Sequence, residues 1–140
     1  MNATIQVTDR EKTRALILAS KGESITEQEV KNLDSCLALA THIWVGQING
    51  EVVCACGLIP PSLLAEEAYL WLYHTPLVEQ YKFTFVRYSQ LVMEAMLEVY
   101  PKIVGLTDRH ERSSIRWLKW LGAKFNDTGE DYIPFQIVGK

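Results

Sequence analysis

One mixed sheet with helices on both faces, an α/β (α+β) fold in a single domain over 1–140, is what this sequence predicts. Three observations carry that reading. The first is the stretch Lys102–Phe125, KIVGLTDRHERSSIRWLKWLGAKF, which reads as a strand, a tight turn and a short amphipathic helix. Ile103, Val104 and Leu106 form an apolar run, and from Ser113 the period changes so that Ile115, Leu118 and Leu121 share one helical face. The second is Asn49-Gly50 between HIWVGQI and EVVCACGLI. Asn-Gly between β-branched and aromatic runs is the strongest short-range hairpin signal. The third is a helical period, Phe85, Ser89, Val92, Met93, Met96 and Tyr100, set between two strand-like runs. A helical crossover between two strands of one sheet implies that they are parallel.

The other elements follow in order. Ala3 to Val7 is β-prone, and Thr8-Asp9-Arg10-Glu11 has capping-box spacing for a helix running towards Ser20. Lys21-Gly22 breaks it. Ser24-Ile25-Thr26-Glu27 is a second such box, opening a helix marked by Val30, Leu33 and Leu37 that reaches about Ala40. Pro60-Pro61 ends the second hairpin strand, and Ser62 to Glu67 is a loop. Tyr69 to Thr75 is a strand stopped by Pro76, and the long helix covers Thr84 to Tyr100. Gly122 stands where a helix end wants positive φ. Tyr132 to Val138 is the final strand, with Pro134 placing it at an edge or a bulge. The element order is β-α-α-β-β-β-α-β-α-β-β.

Composition narrows the function classes. A chain of 140 residues, 48% hydrophobic and 22% charged, is ordinary for a globular domain with a sizeable core. A net charge of -3 shows no domain-wide basic excess, which argues against nucleic acid. No apolar run approaches membrane-spanning length, and no basic, apolar leader opens the chain, so no membrane is expected. Cys36, Cys54 and Cys56 are odd in number and apolar in setting, which suits a reducing, cytoplasmic protein. Cys54 and Cys56 share a strand face, but no second Cys or His pair has metal spacing, so a buried apolar role outweighs a metal site.

The ending WLKWLGAKF, after a strand and a polar turn, is similar to the last β-α unit of the GNAT (GCN5-related N-acetyltransferase) fold. It resembles still more a phage-encoded branch, the one that holds the small internal virion protein of short-tailed phages. That branch shows Asp-x-x-Asn-x-x-His-Ile-Arg-Trp-Leu-x-x-Leu-Gly-Phe. Asp108, Ile115, Arg116, Trp117, Leu118, Leu121 and Gly122 match it, the asparagine and histidine are not in place, and Ala123 replaces the final aromatic. IWVGQINGEVVCACGLIPP resembles the central hairpin of the same fold, and YLWLYHT its fourth strand.

The resemblance implies acetyl-CoA bound where the fourth and fifth strands part. The thioester would lie along the fourth strand at Leu72, and the pyrophosphate on amides opening the next helix, an anion site by the logic of orphan N–H groups and the macrodipole. The family's fingerprint there is [Gln/Arg]-x-x-Gly-x-[Gly/Ala]. In Gln80-Tyr81-Lys82-Phe83-Thr84-Phe85, Gln80 fits and both glycine positions are aromatic. The implied cofactor-binding residues are Leu72, Gln80, Lys82, Thr84 and Arg87, with Arg112 from the last helix; Lys82 and Arg87 would supply charge in place of amides. The alternative is that Phe83 or Phe85 plugs the cleft and no CoA binds.

For catalysis, the family's tyrosine, four residues before the glycine, falls on Leu118. Ser113 or Ser114 are substitutes, although serines near a helix start are more often caps. As general base, His74 is preferred because imidazole titrates near neutral pH, with Tyr73, Thr75 and Glu79 nearby and His110 as runner-up. Arg112, Arg116 and Lys119 make a basic stripe that reads as a solvated face or as a contact to CoA phosphate. Trp120, off the apolar centre, suits a contact surface. Two functions are implied. One is an acetyl-CoA-dependent N-acetyltransferase acting on an amine of a small molecule or protein. The other is a catalytically degenerate phage protein that binds and modulates a host protein, or serves in the virion.

Overall fold

Asn49 and Gly50 both take positive φ, 52° and 81°, the backbone of a type I′ turn, and they fix the hairpin between the second and third strands of the sheet. The computed structural model describes residues 2–139. Its elements are β1 (Ala3–Val7), α1 (Arg10–Lys21), a 3-10 turn (Gly22–Ser24), α2 (Glu27–Leu39), β2 (His42–Ile48), β3 (Glu51–Ile59) and β4 (Glu67–His74). There follow α3 (Leu77–Gln80), α4 (Lys82–Val99), β5 (Lys102–Asp108), α5 (Arg112–Trp120), β6 (Lys124–Phe125) and β7 (Tyr132–Val138). The seven strands form one sheet in the order β1-β2-β3-β4-β5-β7-β6. β4 and β5 are parallel, as the crossover by α4 requires, over the register Glu67↔Lys102 to Tyr69↔Val104. The sequence-predicted element order is observed, with the short α3 added.

Two compact units make up the chain: Met1–Ile59 with Trp71–Phe85, and Pro60–Leu70 with Val86–Lys140. In the first, Ile17, Leu37, Ile43, Val45, Val52, Ala55 and Trp71 form a buried core, joined by partly buried Tyr73. Gly57 is required there: a Cβ on it would lie 2.5 Å from Nε1 of Trp71, so only glycine lets the indole cross β3. In the second unit, burial alternates along β5 (Ile103, Gly105, Thr107) and β7 (Ile133, Phe135, Ile137). Met93 and Met96 of α4 and Leu118 of α5 are buried as well. Trp117 Nε1–H donates to Ser89 Oγ at 2.9 Å, tying α5 to α4.

α5 ends as its sequence predicts. Gly122 has φ 100°. Its N–H donates to the Lys119 carbonyl at 3.0 Å and that of Ala123 to the Leu118 carbonyl at 2.9 Å, a Schellman pair.

Several expectations are corrected. The α1 cap is Asp9, whose carboxylate accepts from the Lys12 N–H at 2.7 Å, while Thr8 Oγ1 is buried with no hydrogen-bond partner among the described residues. The α2 cap is Thr26, accepting from the Glu29 N–H at 3.1 Å; the 3-10 turn absorbs Ser24 and shifts the box by two residues. β4 begins at Glu67 rather than Tyr69 and stops before Thr75. Ile115 and Leu121 are only half-buried beside Leu118, because a nine-residue helix seats just the centre of its apolar stripe. Pro134 is not on an edge strand, since β7 lies between β5 and β6. Its carbonyl accepts from the Asn126 N–H at 3.0 Å. Amide and carbonyl of one residue point to the same side in an antiparallel ladder, so the missing N–H faces the end of two-residue β6 and costs β5 no bond.

Two outcomes are expected from this packing. Leu118→Ala removes a side chain that is 3% exposed and lowers stability by about 2–5 kcal/mol, read from chemical denaturation. Arg109 makes a bidentate contact to Asp127 across the β5 end and the loop before β7. The Arg109 bond first, and the Gly129 N–H second, hold the Asp127 carboxyl down at about 2. A depressed carboxyl contributes stability above its unfolded pKa, about 3.9. That contribution disappears as pH falls through about 2. The melting-temperature gap between wild type and Arg109→Gln is therefore full at neutral pH and closes between about pH 4 and pH 2.

Candidate active site

The end of β4 is set by Thr75. Its N–H donates to the Val53 carbonyl at 2.9 Å, its Oγ1 donates to the Val52 carbonyl at 2.8 Å, and the same oxygen accepts from the Leu77 N–H at 3.3 Å. Thr75 is 8% exposed, so its hydroxyl closes the strand and is not available as a base. Upstream, strand alternation separates the predicted residues. Trp71 and Tyr73 point into the core packed by α1 and α2, whereas Leu72 and His74 point to the opposite face and are exposed. Tyr73 and His74 therefore do not stand together. His74 makes no hydrogen bond or ion pair with any described residue. Tyr73 Oη lies 2.9 Å from Ser20 Oγ, and Ser20 Oγ donates to the Ile17 carbonyl at 2.7 Å. The single Ser20 proton is thus committed, and the phenol is the donor of the pair. Lys21 Nζ stands 5.6 Å from the Tyr73 ring centroid and 2.7 Å from Glu29.

Beyond Thr75, Pro76 leads into α3. Gln80 is its last residue and is exposed, and Glu79 sits 3.4 Å from Lys82 in an ion pair more than half exposed on both sides. The Phe85 N–H donates to the Tyr81 carbonyl, which places the Lys82 and Phe83 amides ahead of that bond. Phe83 is 91% exposed and plugs nothing; Thr84 and Phe85 are half-buried. No acidic residue lies in the first turn of α4, so this helix start suits an anion. What it lacks is the glycine that brings backbone closest to a phosphate.

In the second unit, Arg87 is exposed on α4, and Arg112, Arg116 and Lys119 are exposed on α5. The α5 N-cap position is Glu111, without a side-chain cap bond, so neither Ser113 nor Ser114 caps. Ser114 is half-buried. His110 gives its N–H to Asp108 Oδ1 at 2.9 Å and is exposed. Leu118, in the tyrosine's place, is in the core and carries no proton. Trp120 is 54% exposed, as its phase predicts.

No family model matches this sequence, and no curated protein does. Solved structures do. A spermidine N-acetyltransferase SpeG chimera from Vibrio cholerae and hSSAT superposes with a TM-score of 0.70 at 12% identity, over 99% of this chain and 96% of that one. A putative acetyltransferase of the GNAT family from Desulfovibrio desulfuricans gives 0.66 at 14% identity, over 98% and 99%. This chain has the GNAT fold. The acetyl-CoA-bound structure of yncA, a putative acetyltransferase from Salmonella typhimurium, gives 0.64 at 15% identity, over 99% and 94%. At such identities the likeness is one of fold.

Within the GNAT fold, the Ser20–Tyr73 contact was not legible from the sequence, because the two residues are 53 positions apart and neither lies in a motif. Among the described residues no group of three His, Cys, Asp or Glu comes together for a metal, and no helix is long and apolar enough to cross a membrane. The three cysteines are free. Burial pushes the Cys54 thiol up to about 11 and the Cys56 thiol above its ordinary value too. A thiolate reagent at pH 8 is therefore expected to leave both unmodified in the native protein and to label all three cysteines in denaturant, counted by intact mass.

Proposed function

We propose that residues 1–140 act as one acetyl-CoA-dependent N-acetyltransferase domain, with an amine as acceptor. The observation that supports this most is the GNAT fold along 99% of the chain, with parallel β4 and β5 and, after the short α3, an α4 whose first turn holds no acidic residue. In this reading Leu72 supplies strand backbone to the thioester. Gln80, Lys82 and Thr84 serve the pyrophosphate at the start of α4, and the exposed guanidinium groups of Arg87 and Arg112 pair with phosphate oxygens. His74, exposed and without an internal partner, takes the proton. The acceptor's lone pair forms the N–C bond at the acetyl carbonyl, the C–S bond breaks with its pair on sulfur, and the surplus proton passes from nitrogen to His74. Ser114 or solvent returns a proton to sulfur, a step for which Leu118 has no chemistry.

Calorimetric titration with acetyl-CoA, followed by a CoA-thiol release assay over an amine panel, tests the reading. Arg87→Ala is expected to weaken binding while the melting temperature holds, with a deficit that shrinks as salt rises. His74→Ala is expected to bind acetyl-CoA normally and to lose about 100-fold or more in kcat. No heat at millimolar acetyl-CoA would overturn it.

A second reading has its own observation behind it: both glycine positions are aromatic, Phe83 is 91% exposed, and the tyrosine's place holds buried Leu118. In that case the chain is a phage-encoded protein that keeps the fold and presents Trp120 and the basic stripe to a host or virion protein. Retention of a partner by wild type, lost on Trp120→Ala, would favour it.

A further inference from the structure

The sheet of the second unit has an open face. Its register places Tyr69 beside Val104, Leu106 beside Pro134, Val104 beside Gln136 and Gln136 beside Lys124. Cross-strand partners project to the same side, and Asn126 follows Lys124 by two, so these side chains share one face. It is the face opposite to buried Ile103, Ile133, Phe135 and Ile137. A cleft of about 570 Å³ lies on it, within the size range of small-ligand sites. None of the residues assigned above to acetyl transfer lines this cleft.

The chemistry of the lining is one-sided. Tyr69 and Leu106, 39% and 52% exposed, make with Pro134 an apolar floor open to solvent. The polar rim is Lys124, Asn126 and Gln136. No carboxylate lines the cleft. The Lys124 ammonium has no ion-pair partner among the described residues, whereas Lys102, on the same face, is paired to Glu67 at 3.6 Å. One unpaired ammonium and two amides that can donate, around an apolar floor, complement an anion on an apolar body, whereas a second cation would meet the Lys124 charge with no carboxylate to offset it.

We propose that this cleft binds a small amphiphilic carboxylate, its aromatic or aliphatic body on Tyr69, Leu106 and Pro134 and its carboxylate on Lys124 with Asn126 and Gln136. The site is independent of acetyl transfer and stands whether or not acetyl-CoA binds.

The test uses three probes with one body and different heads: 3-phenylpropionate, 3-phenylpropanol and 3-phenylpropylamine, titrated into the full chain and followed by amide NMR shifts. The carboxylate is expected to move the Tyr69, Leu106 and Gln136 backbone amides and the Asn126 and Gln136 side-chain amides. It should bind about tenfold more tightly than the alcohol, with no saturable shift from the amine. Lys124→Gln should reduce the carboxylate to the alcohol's affinity, and Lys124→Arg should restore the preference; Lys124 is exposed, and thermal melts confirm folding. Equal affinities for the three probes, shifts mapping elsewhere, or a dimer in light scattering that protects these amides would overturn the proposal.

Discussion

The parallel ladder between β4 and β5 runs over three residue pairs, and the chain's candidate chemistry depends on what holds β4 after it. From Leu70 onward the strand relies on other partners. Trp71 is fixed by lying across Gly57, where any Cβ would collide with it. Thr75 is fixed by the carbonyls of Val52 and Val53. A buried hydroxyl bonded in this way costs more to leave unpaired than it contributes when paired, so the strand end has one arrangement that satisfies it. That arrangement decides the direction of each side chain before it. Leu72 and His74 are left exposed because Trp71 and Tyr73 must enter the core.

Little of the fold's stability comes from its ion pairs. Arg14–Asp34, Lys21–Glu29, Lys82–Glu79 and Lys102–Glu67 all join substantially exposed side chains. Such pairs contribute about 0–1 kcal/mol each. Apolar burial therefore holds each unit together, through the hairpin, α1, α2 and Trp71 in one, and β5, β7, Met93, Met96 and Leu118 in the other. This frees the cations of α4 and α5 from structural duty. Arg87, Arg112 and Arg116 are exposed and available for anions, while α5 is held by Leu118, the Trp117–Ser89 bond and its Schellman turn.

Local chemistry made most of the element order legible. Asn49-Gly50 determines a hairpin because both residues accept positive φ, and Gly122 determines a helix end for the same reason. The long period from Phe85 to Tyr100 determines a crossover, and the crossover determines that β4 and β5 are parallel. Helix starts were misplaced by one or two residues because Thr8 and Asp9, or Ser24 and Thr26, are equally good caps in isolation. The choice between them falls to the packing of the preceding segment.

Tertiary structure decided the rest, for reasons the sequence does not hold. Alternation alone puts Tyr73 and His74 on opposite faces, but only the core built by α1 and α2 says which of them is buried. The Ser20–Tyr73 bond joins residues with no shared motif, so no spacing announces it. Pro134 reads as an edge residue until two-residue β6 is seen to pair beyond it. The open face of Tyr69, Leu106, Lys124 and Gln136 is assembled from four strands. Its residues are unremarkable one by one, and they become a site only when strand register sets them side by side.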